Sequence, residues 1–145
     1  MQRKVEREQF MRVVETIRKE FPNLQSELIL EHPHVEAMLT LPAQTGLKFE
    51  MSINLQNCDE LHLNAGSFWC EWFPCRKQEV CDRFTEAVRG LLSGSYRIVE
   101  HLRNGKAVKA ELQRPDAGGW RKEAVWSKVS FSFPWGKQTR ILQNL

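Results

Sequence analysis

Residues Phe68-Trp69-Cys70-Glu71-Trp72-Phe73-Pro74-Cys75 place four large aromatics within six positions. A β-strand points successive side chains to opposite sides. Phe68, Cys70 and Trp72 therefore share one face, and Trp69, Glu71 and Phe73 the other. Neither face is polar enough to be left to water. Each needs a cover, from the chain's own helices or from a partner.

The remaining patterns say what helices are at hand. Phe10, Val13, Val14, Ile17 and Phe21 recur at the spacing of one helical face, which predicts an amphipathic helix over residues 4 to 21, stopped by Pro22-Asn23. Residues 24 to 33 are ambiguous: Leu28-Ile29-Leu30 between Pro22 and Pro33 is short for a helix and fits a short strand. Alternation of Val35, Ala37, Leu39 and Leu41 with polar neighbours, repeated by Leu47, Phe49, Met51, Ile53 and Leu55, predicts two strands joined by a hairpin loop at residues 42 to 46. The stretch from Glu60 to Phe73 alternates and then changes phase at Gly66, which predicts one bent strand in preference to a tight hairpin. Pro74 is suited to a first helical position, and Val80, Cys81, Phe84, Val88, Leu91 and Leu92 form the stripe of a second helix ending at Ser93-Gly94. Tyr96 to Leu102 and Ala107 to Leu112 flank Asn104-Gly105, a strong hairpin signal. A last strand is expected from Trp120 to about Phe133.

The plan is α-β-β-β-α-β-β-β: an α+β fold, one domain over residues 1–145, with two helices packed on a mainly antiparallel sheet. Residues 134–145 read as a basic C-terminal tail. The chain's 145 residues and 41% hydrophobic content allow a core that needs no metal or cross-link. No apolar run is long enough to span a membrane and the start lacks the plan of a signal peptide, so a cytoplasmic, bacterial-style protein with free thiols is expected.

Charge narrows the partners. Residues 114 to 145 carry six Lys and Arg against two acids, whereas the rest of the chain carries fifteen against sixteen. The surplus of the net charge of +3 is thus C-terminal. Lys122, Lys128, Lys137 and Arg140, interleaved with Trp120, Trp126 and Trp135, could contact phosphates while the rings stack on bases.

Catalytic patterns are missing. There is no serine elbow, no HExxH helix and no glycine-rich turn running from a strand into a helix. Cys58, Cys70, Cys75 and Cys81 are not spaced as two close pairs of zinc ligands, and His32-Pro33-His34 has no evident third ligand. Cys75 stands out as a reactive thiol, because a helix N-terminus with Arg76 and Lys77 beside it would favour the thiolate.

The first expectation is therefore a protein-binding domain without enzymatic activity or cofactor, comparable in plan to immunity proteins and to secretion chaperones or adaptors. It would bind another protein, or itself as a homodimer, through an aromatic sheet face containing Trp69, Phe73 and Glu71, with Trp126 and Trp135 as further anchors. A nucleic-acid-binding module built on the basic C-terminal region is the alternative. A zinc or thiol-redox protein is the third.

Overall fold

A computed structural model of the chain describes residues 2–128 and 138–145. Helix α1 (Gln2–Glu20) buries Phe10, Val13, Val14 and Ile17, the stripe that the spacing predicts. Five strands follow: β1 (Glu27–Ile29), β2 (Ala37–Leu41), β3 (Met51–Gln56), β4 (Glu60–Ala65) and β5 (Phe68–Trp72). Helix α2 (Gln78–Ser93) then leads to β6 (Arg97–Arg103), β7 (Lys106–Asp116), β8 (Gly119–Ser127) and β9 (Gln138–Leu142). This is the expected α+β domain, and every strand pair is antiparallel. The strands are divided over two sheets, ordered β1-β2-β3-β4-β5 and β8-β7-β6-β9.

Register explains how the first sheet is covered. Leu28, Leu39, Ile53, Leu63 and Cys70 lie in one row across its five strands, and Leu41, Met51, Ala65 and Phe68 in the next. Both rows face the helices. Trp72 meets Phe84 of α2 edge to face, with ring centroids 5.6 Å apart. Each such aliphatic or aromatic side chain contributes about 1.5–3 kcal/mol when fully buried, so this inner face is the main source of stability.

The ambiguous stretch after Asn23 supplies the short edge strand β1. Three segments differ from the sequence reading. Glu60 to Phe73 is a hairpin and not a bent strand: Ala65 pairs with Phe68 across the two-residue turn Gly66-Ser67. Gly66 adopts φ +58°, which a glycine at the first central position of such a turn supplies without strain. Any side chain there would also run into Leu142 and the Glu100 carboxylate. Pro74 does not open α2, which begins at Gln78 after an extended Lys77. Finally, part of the expected basic tail is built into the fold. Residues 138–142 form β9 against β6, and Asn144 donates to the carbonyls of Leu92 (2.6 Å) and Gly46 (2.7 Å). The Asn-Gly hairpin is as predicted, with Asn104 at φ 52° and Gly105 at φ 75°. So is the helix stop at Gly94, at φ 85°.

One buried carboxylate ties the sheets together. Glu100, in the middle of β6, is 0% exposed. It accepts from Arg140 Nε of β9 at 2.7 Å, and from the Ser67 backbone N–H (3.0 Å) and hydroxyl in the β4–β5 turn. Burial pushes its pKa up, but Arg140 and the Ser67 donors outweigh that and hold it below the usual carboxylate range. A carboxyl depressed in this way adds stability above its unfolded pKa and loses it as pH falls through the folded value.

Arg140→Ala reverses this sign, because it leaves the carboxylate buried with only the Ser67 donors. The variant is expected to lose about 3 kcal/mol at neutral pH. The deficit should shrink in acid, where Glu100 can fold protonated. Urea unfolding of both proteins at neutral and at acid pH checks this; an equal deficit at each pH would refute the role given to Glu100.

Candidate functional site

The outer face of the first sheet is the surface that neither helix covers. Ile29, Met38, Asn54, His62 and Glu71 line up in one row, and Glu27, Thr40, Ser52, Asn64 and Trp69 in the row beside it. Trp69 is 40% exposed, and Phe73, immediately after β5, is 59% exposed. Glu71 is partly exposed between them. The sequence reading grouped these three residues, and the structure places them together at one margin of the sheet.

Beneath the indole lies a group that the sequence reading did not single out. His62 is 3% exposed although it belongs to the outer face. Its ring lies 5.3 Å from that of Trp69, centroid to centroid. Trp69 Nε1–H donates to His62 Nδ1 at 2.9 Å. An indole nitrogen can only donate, so Nδ1 is the unprotonated acceptor and Nε2 carries the ring proton. That proton is donated to Glu60 Oε1 at 2.9 Å, which also accepts from Asn57 Nδ2 at 3.0 Å. The hydrogen bonds from Asn57 and then His62 hold the Glu60 carboxyl below its usual range.

A carboxylate-oriented imidazole can be part of a catalytic base, but here the lone pair that would take a proton already accepts the indole N–H. The chain Trp69–His62–Glu60–Asn57 positions a ring. The face is also one-signed. Its strand residues include Glu27, Glu60 and Glu71 and neither Lys nor Arg.

The other candidate residues lie elsewhere. Trp126 pairs with Ala110 on the inner face of the second sheet and packs, half-buried, against the core. Lys122 lies on the outer face of that sheet, its Nζ 3.5 Å from Glu111 Oε1, whereas Arg140 reaches Glu100 from the inner face. The two cations therefore do not share a surface. Lys128 follows β8, its backbone N–H bonded to Val108 O at 3.0 Å. Trp135 and Lys137 lie outside the described residues.

Cys75 is not at a helix start. It precedes Lys77, its N–H donates to Asp59 O at 2.9 Å, and it is fully buried. Burial, followed by the nearby Glu6, Cys81 and Asp59, pushes its thiol up to about 12, opposite to activation. Cys58 is exposed, Cys70 half-buried and Cys81 buried, all as free thiols. Among the described residues no three His, Cys, Asp or Glu side chains converge as a metal site requires. His32 uses Nδ1 to accept the His34 backbone N–H at 3.1 Å. Among the described residues no helix is long and apolar enough to cross a membrane.

Replacing His62 by Phe keeps the bulk and deletes the acceptor. The indole N–H of Trp69 is then expected to exchange with solvent about tenfold faster, the equivalent of roughly 1.4 kcal/mol for one hydrogen bond. Nitrogen-resolved NMR of the indole resonances reads this directly, and an unchanged rate would mean that His62 does not hold the ring. Comparison of the chain with protein-family models, with curated proteins and with solved structures finds no match.

Proposed function

We propose that this chain is a non-enzymatic protein-binding domain, and that the outer face of its first sheet receives a cationic segment bearing apolar side chains. The observation that carries the reading is Trp69, exposed on the face opposite both helices and locked by a buried imidazole, with the exposed Phe73 immediately after the same strand. Exposed aromatics in a fixed rotamer are the usual anchors of an interface, since little rotamer entropy is lost when a partner closes on them. The carboxylates of Glu27, Glu60 and Glu71 select the charge of that partner.

The same charges argue against the simplest homodimer. A two-fold axis would set this acidic face against its own copy, like sign on like. A reducing, cytoplasmic setting suits the reading, because all four cysteines are free.

A photo-crosslinking phenylalanine at position 73 tests the proposal in the native cell, with the same group at the exposed Glu15 of α1 as control. A discrete protein adduct from position 73 alone is expected. Trp69→Ala should weaken its formation about thirtyfold, which corresponds to a hot-spot loss of roughly 2 kcal/mol. No adduct, or the same adducts from position 15, would overturn the proposal.

A further inference from the structure

We infer that the partner seated on the acidic face is the outer face of the second sheet of another copy of this chain. This rests on the protein-binding reading above and names its occupant. Across the second sheet, register places Ile141, Val99, Glu111 and Val125 in one row on the face turned away from the core. Ile141 and Val125 are exposed at the two ends of the row, while Val99 between them is buried, so the apolar surface lies at the sheet's two edge strands.

Its rim is basic. Lys109 Nζ and Lys122 Nζ lie 3.1 and 3.5 Å from Glu111 Oε1, and Gln113 Nε2 donates to the other oxygen at 3.1 Å. That single carboxylate is nearly buried, whereas the two lysines reach solvent. Arg97 adds a third cation, its guanidinium 4.1 Å above the Trp120 ring. Two lysines thus flank one neutralised acid, and Arg97 is held beside it on Gln113.

The two open sheet faces of the molecule are therefore complements. One carries exposed Trp69 with three carboxylates and neither Lys nor Arg among its strand residues, and exposed Phe73 follows its edge strand; the other carries exposed Val125 and Ile141 with a cationic surplus among its described residues. Sheet faces pack about 10 Å apart when their side chains interdigitate. Acidic on acidic and basic on basic are repelled, so the favoured self-contact joins unlike faces. Such a contact is heterologous: each pair of copies keeps one free face of each sign, and the assembly closes into a ring or grows as a filament.

A charge swap tests this on the intact chain. In low salt the sedimentation mass of the wild type should rise above 17.0 kDa with concentration and return to it in high salt. Glu27→Lys with Glu71→Lys should weaken association at least about tenfold, and so should Lys109→Glu with Lys122→Glu. Mixing the two variants restores unlike faces and should restore association. Lys109→Gln with Lys122→Gln keeps the test available if the reversal next to Glu111 unfolds the protein, and it too should weaken association.

A wild type that stays at 17.0 kDa throughout, or association that survives both reversals, overturns the inference. The crosslink at position 73 separates its failure from that of the broader reading. An adduct with a different protein keeps the binding face and removes the self-contact; no adduct removes both.

Discussion

The arrangement of the two sheets depends on the buried carboxylate of Glu100. An ionised group with no exposure costs several kcal/mol unless charge and hydrogen bonds surround it. Its partners come from different parts of the chain: Arg140 from β9, and two donors of Ser67 from the turn at the end of the first sheet. They can be met together only if β6 lies against the β4–β5 turn with β9 at its side. Gly66 permits that approach, because a side chain there would occupy the space of Leu142 and the Glu100 carboxylate. Once this contact is made, the inner faces of both sheets are committed to the core, and the two outer faces are what remains to meet other molecules.

Much of the fold was legible in the sequence because periodicity reports burial on one face. The stripes of α1 and α2, the alternation of β2 and β3, and Asn104-Gly105 each carry their signal within a few residues. What was not legible depended on partners far along the chain. The phase change at Gly66 fits either a bend or a hairpin until it is known that Leu61 faces Trp72. β9 is polar enough to pass for a tail, because its place is set by pairing with β6 some forty residues earlier. Pro74 suggested a helix start, but the backbone N–H of Cys75 is used by Asp59 and the helix waits until Gln78.

The candidate site was half legible, for the same reason. Trp69, Glu71 and Phe73 fall together by parity alone. His62 and Glu60 are seven and nine residues before Trp69, and only the hairpin register brings them beneath its ring. A histidine on an outward-facing position reads as a surface residue. Here it is buried because the indole lies over it, and it is the indole that stays in view. The contrast with Trp72 is instructive: three residues away and of opposite parity, it packs edge-on to Phe84 and serves the core. The strand itself divides the aromatic cluster into an inner half that is covered and an outer half that is held open.

Net charge conceals the same division. A surplus of +3 over the chain suggests a mildly basic protein, and its concentration after residue 114 suggests a basic tail. In three dimensions several of those cations are matched to carboxylates. Arg140 is spent on Glu100 inside the fold, and Lys122 leans on Glu111. What survives at the surface is polarity between two faces: carboxylates without cations around Trp69, and cations around one shielded carboxylate on the second sheet. Lys122 and Arg140, on opposite sides of the second sheet, do not form one track for a phosphate polymer. A protein surface asks only for a patch of one sign with something apolar beside it, and each of the two open sheets supplies one, of contrary sign.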